Sequence, residues 1–174
     1  MIFLAGLSWG GDLAQELYAR QPGKVASLIL ADTYAGWKGS LPEDVCAARL
    51  RSCLRESELE ARDFVPDWIP ELLSEDAPDE LRDELAAIMS SFHPVGYRAM
   101  VRAFAELDTR PVLPRIQVPT LLLWGAADRR SSLAVAGQLH DAIPGATLTV
   151  IPGAGHVSNL EQSDLFNDAV RRFC

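Results

Sequence analysis

A serine acts as a nucleophile only where its oxygen is exposed and a base lies within reach. The segment Gly6-Leu7-Ser8-Trp9-Gly10 offers such a setting, because it follows an apolar run at residues 2–5 and precedes a helical pattern. A G-x-S-x-G between a strand and a helix forces its serine into strained torsions at a tight turn. Glycines on either side remove side chains that would clash there. The serine oxygen is pushed clear of the backbone, over the N-terminus of the next helix. The amide of Trp9 then points where an oxyanion would form, which makes Trp9 the candidate oxyanion donor.

Ser8 needs a base. Of the three histidines, His156 is the candidate, since it ends the glycine-rich loop Pro152-Gly153-Ala154-Gly155-His156 after an apolar strand. His140 lies near a helix C-terminus, where it meets the helix dipole or solvent. His93, before Pro94, reads as a surface or helix-start residue. An acid must then hold the histidine tautomer and stabilise its imidazolium form. Two aspartates follow apolar runs: Asp128, in Gly125-Ala126-Ala127-Asp128, and Asp32, in Asp32-Thr33-Tyr34. Asp128 has Arg129 and Arg130 beside it as alternative partners, and Asp32 could instead cap the turn before Thr33, so both remain open on residue types alone. Tyr34 and Trp37, just past a strand end, are weaker candidates for a substrate pocket with Trp9. Packing between a cap and a sheet would explain them equally well. Trp68 and Phe64 read as core. There is no CxxC, HExxH, GxGxxG or P-loop pattern, so no metal and no cofactor is expected.

The elements that must position these residues follow from periodicity. Residues 12–21 form a helix whose Leu13, Ala14, Leu17 and Tyr18 make an apolar stripe for a sheet. Residues 25–31 are near-continuously apolar, the mark of a strand buried on both faces. Strand, helix and strand with short joints give a βαβ unit, hence a parallel sheet with a right-handed crossover. Residues 38–110 then lose strand-like runs and hold 16 of the 24 acidic but only 9 of the 16 basic residues. Helices are expected at 42–58, with Val45, Leu50 and Leu54 inward, at 79–89, with Leu81, Leu85 and Ile88 inward, and at 97–107. Residues 63–73 should be broken into short pieces by Pro66 and Pro70. Residues 120–124 and 146–151 are two further strands, separated by a helix at 131–141, and a last helix spans 161–173. This divides the chain into a core segment 1–37, a helical cap 38–110 and a second core segment 111–174. The fold class is α/β, with about four parallel strands flanked by helices.

Bulk properties narrow the partners. The net charge is −8, which disfavours nucleic acid or an anionic membrane. No apolar run approaches the roughly 18 residues of a membrane span. The first residues lack a basic segment, so they do not read as a signal peptide. Three cysteines make no disulfide framework, and a reducing cytoplasm is the expected compartment. A small-molecule substrate is the expected partner.

Taken together, Gly6-Leu7-Ser8-Trp9-Gly10, Leu123-Trp124-Gly125-Ala126-Ala127-Asp128 and Ile151-Pro152-Gly153-Ala154-Gly155-His156 resemble the C-terminal portion of a serine hydrolase of the α/β-hydrolase fold, in the chain order Ser, Asp, His. The resemblance covers essentially the whole chain. It implies that Ser8, Asp128 and His156 form a triad at the carboxyl edge of one parallel sheet. Asp128 matches the usual position of the acid, and Asp32 a rarer one. A cap between the second and third strands is also common in such enzymes. The implied reaction is attack on a small ester, lactone or activated carbon–carbon bond through an acyl-enzyme. Ser-Trp-Gly also occurs in proline-iminopeptidase-like members, so an aminopeptidase is an alternative.

One departure stands out. The family's sheet usually has eight strands, and only four are visible. The strand before Ser8, normally central, begins at residue 2, and no His-Gly loop precedes it to supply a second oxyanion amide. The expectation is a truncated chain with an exposed apolar sheet edge. A homo-oligomer or an N-terminal segment would then cover that edge. Alone, such a chain could be catalytically silent.

Overall fold

The computed structural model describes residues 1–174. In chain order the main elements are β1 (Ile2–Leu7), α1 (Trp9–Arg20), β2 (Val25–Ala31), α2 (Trp37–Ser40), α3 (Glu43–Glu56), α4 (Ala61–Leu72), α5 (Asp79–Met89) and α6 (Pro94–Glu106). They continue with β3 (Thr120–Gly125), α7 (Leu133–Ala142), β4 (Thr147–Ile151), α8 (Ser158–Glu161) and α9 (Ser163–Phe173). The four strands form one parallel sheet in the order β1-β2-β3-β4. The fold is therefore a four-stranded parallel α/β sheet with helices on both faces and with α3–α6, the expected cap segment, between β2 and β3.

Alternation along the central strands divides the core. Leu28 and Leu30 of β2, with Leu122 and Trp124 of β3, join Ala14 and Tyr18 of α1 and Val135, Ala136 and Leu139 of α7. Ile29, Ala31, Leu121 and Leu123 face the other way, against Ile151 and the α9 residues Phe166, Ala169, Val170 and Phe173. Both central strands are thus apolar on both faces, as their continuous runs require. β1 is the exposed apolar edge expected above. It pairs only with β2, and Phe3 remains 70% exposed.

Several helices present faces other than those expected. In α1, Ala14 and Tyr18 face the core, while Leu13 and Leu17 are exposed. In α3 the buried positions are Cys46 and Cys53, not Val45, and in α5 Leu85 is buried while Ile88 is exposed. The buried face of α3 is set by α6, where the Cys46 thiol donates to the Ala105 carbonyl. The last helix is interrupted at Gln162, between α8 and α9.

The largest local correction is α4, one continuous helix through Pro66 and Pro70. Each proline removes one ladder hydrogen bond and disfavours the helix by about 3 kcal/mol. Both prolines lie on the exposed face. The opposite face buries Ala61, Phe64, Val65, Ile69 and Leu72, at about 1.5–3 kcal/mol for each large side chain. Tertiary packing outweighs local propensity here.

The junction between core and cap is pinned to α1 by buried polar groups. Gln15 Nε2 donates to the Tyr34 carbonyl at 2.7 Å, and Thr109 Oγ1 donates to Gln15 Oε1 at 2.5 Å. The Gly36 amide donates to Asp12 Oδ1 at 2.7 Å. Gly36 has φ 72°, and a β-carbon there would lie 1.9 Å from the Leu107 carbonyl oxygen, so only glycine fits. Asp12 is fully buried with Oδ2 unpartnered, and burial pushes its carboxyl well above the usual range. The folded chain therefore holds a proton that the unfolded chain releases near pH 4, and this contribution to stability is lost as pH rises from there towards the folded value. Asp12→Asn removes that dependence. In urea melts at a series of pH values, the stability of the wild type should fall relative to Asp12→Asn as pH rises from 4, by up to about 1.4 kcal/mol per pH unit. A pH-independent difference would contradict the assignment.

Candidate active site

Three strands end at the same edge of the sheet, and each exit is tied to the next strand. The Ser8 amide donates to the Ala31 carbonyl at 2.9 Å, the Asp32 amide to Leu123 at 2.9 Å, and the Ala126 amide to Ile151 at 2.9 Å. Ser8 has φ 51°, a strained value for a residue with a side chain. The close approaches at this turn are made by Gly6 and Gly11. A β-carbon on Gly6 would sit 2.2 Å from the Gly10 carbonyl oxygen, and one on Gly11 would sit 2.4 Å from Thr33 Oγ1. Gly10, the second glycine of the motif, has open space at that position. Thr33 Oγ1 also donates to the Ser8 carbonyl at 2.6 Å, closing the turn.

Ser8, His156 and Asp128, distant in sequence, meet at this edge. His156 Nε2 lies 2.9 Å from Ser8 Oγ, and His156 Nδ1 lies 2.9 Å from Asp128 Oδ2. Asp128 also accepts hydrogen bonds from the Arg130 amide at 2.8 Å, the Ser131 amide at 2.9 Å and Ser131 Oγ at 2.8 Å. Its loop is anchored from beneath by Trp124 Nε1, which donates to the Ser131 carbonyl at 2.6 Å. The neighbouring arginines do not pair with Asp128. Arg129 reaches Glu75 and Arg130 reaches Glu71, both on the cap. The histidine loop is fixed by the cap as well: the His156 amide donates to the Leu72 carbonyl at 2.8 Å. Glu161 accepts from the Gly155 amide at 2.6 Å and from the Ser74 amide at 2.9 Å.

Asp32, the other aspartate considered, does not touch the histidine ring. Its Oδ1 accepts from the Gly125 amide at 2.7 Å and its Oδ2 from Ser158 Oγ at 2.5 Å. Burial, with a smaller contribution from the charge of Asp128, pushes its pKa up to about 7. Trp9 opens α1, where first-turn amides lack intrahelical partners. His140, on α7, and His93, at the start of α6, are both exposed.

A family model for the alpha/beta hydrolase family matches residues 2–169. The chain belongs to the α/β-hydrolase family. A curated relative, 3-oxoadipate enol-lactonase 2 of Acinetobacter baylyi, is 32% identical over 167 residues, covering 95% of this chain and 60% of that protein. Among solved structures, a thermophilic esterase from Thermogutta terrifontis superposes with a TM-score of 0.89 at 29% identity, covering 99% of this chain and 64% of that one. The enol-lactonase from Burkholderia xenovorans gives a TM-score of 0.84 at 26% identity, covering 97% and 64%. This α/β-hydrolase chain thus spans somewhat under two thirds of the length of these relatives.

A cavity of about 240 Å³ opens over Ser8 and His156. Trp9 and Trp37 line it, and Tyr34 does not. Tyr34 is buried behind, with its hydroxyl donating to the Arg130 carbonyl and accepting from Arg49 Nη1. Much of the wall comes from the cap. Trp68, read from sequence as core, borders the cavity with Phe92, Tyr97, Met100 and Phe104. The Phe104 ring lies 4.9 Å from Trp9 and stacks on Trp37 at 4.7 Å, which joins α6 to the nucleophile turn. No sequence signal distinguishes Trp68 or Phe104 from other apolar residues of an amphipathic helix. Because the turn depends on the Gly6 contact, Gly6→Ala should destabilise the fold by about 1–3 kcal/mol, while Gly10→Ala costs less, as chemical denaturation of both variants will show.

Proposed function

We propose that this chain carries the catalytic groups of a serine hydrolase acting on small esters or lactones. The observation that supports it most is the unbroken hydrogen-bonded relay Ser8–His156–Asp128. Ser8 Oγ attacks the substrate carbonyl as His156 Nε2 takes its proton. Asp128 holds the Nδ1 proton and stabilises the imidazolium. The Trp9 amide donates to the developing oxyanion. His156 then returns the proton to the leaving alcohol, and water repeats the sequence to release the acid. The same relay also suits cleavage of an activated carbon–carbon bond. The 3-oxoadipate enol-lactonase and esterase relatives favour ester or lactone substrates.

The cavity supports a narrower substrate class. Of its 16 lining residues, 13 are hydrophobic, and no Asp or Glu is among them. An aminopeptidase needs an acid to hold the substrate α-amine, so the cavity disfavours that alternative. A volume of about 240 Å³ suits a compact apolar acyl group.

A fluorophosphonate probe should label Ser8 in the wild type and not in Ser8→Ala; labelling that survives the substitution would sink the proposal. Asp128→Asn, which keeps the shape but loses the tautomer control, should lower turnover by about 10⁴-fold. In a p-nitrophenyl ester series, short apolar acyl chains should be preferred, and Trp68→Ala should shift the optimum to longer chains.

A second reading is favoured by the exposed β1 edge, where Ile2 and Phe3 meet solvent. Unpaired apolar edges invite pairing. On this reading the chain acts only when a second copy or further strands cover β1. Steady turnover of p-nitrophenyl acetate by monomeric 174-residue chain, with the monomer verified by light scattering, would refute it.

A further inference from the structure

We propose that Asp32 is a positioning residue that locks the loop carrying Asp128 to the loop carrying His156. The proposal rests on reading Ser8, His156 and Asp128 as the reacting groups.

Asp32 is the first residue after β2 and is fully buried, with φ 45°. A left-handed aspartate costs of order 1 kcal/mol and persists only where its surroundings fix it. Its two carboxylate oxygens supply that restraint, each on a different loop. Oδ1 accepts from the Gly125 amide, three residues before Asp128, and Oδ2 accepts from Ser158 Oγ, two residues after His156. One carboxylate therefore spans both loops that bring the acid and the base together. The loops also touch directly: the Ala127 amide donates to the Ala154 carbonyl at 2.8 Å, and Gly125 packs against Gly155. Small losses of register here matter, because displacements of about 1 Å can cost about 10²-fold in rate.

The groups that face Asp32 are Asp128 from the acid loop, Gly125 from the end of β3 and Ser158 from the histidine loop. No cation forms an ion pair with it, and the nearby arginines of the acid loop are engaged by Glu75 and Glu71. Burial pushes the carboxyl up to about 7, so it becomes a carboxylate as pH rises through neutrality.

Asp32→Asn keeps both tethers. Its carbonyl can still accept from the Gly125 amide and its NH₂ can donate to Ser158 Oγ, while the charge is gone. Asp32→Ala loses both tethers, and Ser158→Ala loses one if Asp32→Ala fails to fold. The experiment is an NMR observation of the His156 Nδ1 proton in the 174-residue chain and each variant, which needs no turnover. In Asp32→Asn the low-field Nδ1 proton should persist. In Asp32→Ala, or Ser158→Ala in its place, that proton resonance should broaden or disappear. Loss of the resonance in Asp32→Asn, or an unchanged resonance in the tether-breaking variant, overturns the proposal. Failure of the fluorophosphonate probe to label Ser8 would instead count against the hydrolase reading and leave this comparison intact.

Discussion

The strand ladder continues past the strand ends, and the rest of the site depends on that. Ser8, Asp32 and Ala126 each leave a strand, yet each still donates its amide to a carbonyl of the adjacent strand. In a parallel sheet the bonds are evenly spaced and all strands point one way, so the exits gather at one edge. The two non-glycine residues with positive φ, Ser8 and Asp32, are both first residues after a strand. Strain of about 1–3 kcal/mol at each such residue persists only because the structure around it is over-determined. At Ser8 that surrounding is the Ala31 carbonyl, the Thr33 hydroxyl and the space left by Gly6 and Gly11. At Asp32 it is the Leu123 carbonyl and the two donors to its carboxylate.

The cap is part of the same construction. Its entry and exit strands are fixed to α1 through Asp12 and Gln15, and the C-terminal end of α4 receives the amide of His156. The ion pairs Arg129–Glu75 and Arg130–Glu71 also cross from acid loop to cap, but their acids are largely exposed. Such pairs contribute about 0–1 kcal/mol. The buried, neutral hydrogen bonds and the aromatic contacts of Phe104 are the stronger links. This explains why α4 tolerates two internal prolines: its buried face and its last carbonyl are both committed to the core. The acidic excess of the cap segment is carried by residues such as Asp63, Asp67, Glu80 and Asp83, all on exposed positions, and it plays no part in the cavity wall.

The sequence carried the parts of this arrangement that arise from short-range chemistry. The turn at Ser8, the strand-end aspartates, the glycine loop before His156 and the four strands with their intervening helices were legible, because glycine placement and apolar runs act locally. What was illegible depends on distant partners. Residue types could not choose between Asp128 and Asp32, since both follow apolar strands; the choice lies in which oxygen reaches the ring once β2, β3 and β4 are aligned. Cys46 rather than Val45 faces inward because α6 lies on that side of α3. Trp68 and Phe104 pack with the core and also line the cavity over Ser8, which depends on how the helices between β2 and β3 meet the turn. Gly10 looked required by the motif, whereas the close contact falls on Gly11, where Thr33 crosses.

Three carboxylates lie buried along one path from α1 to the histidine, and they differ in how many donors each receives. Asp12 has one backbone amide on Oδ1 and nothing on Oδ2. Asp32 has two donors from two loops. Asp128 has the Arg130 and Ser131 amides, the Ser131 hydroxyl and the histidine ring. Hydrogen bonds to a carboxylate favour its charged form, while burial opposes it. Where donors are few, burial dominates, and the carboxyls of Asp12 and Asp32 are both raised. The aspartate with the most donors is the one in contact with the imidazole of His156. The gradient of donors therefore separates an acid that closes a hinge and an acid that ties two loops from the acid that faces the base.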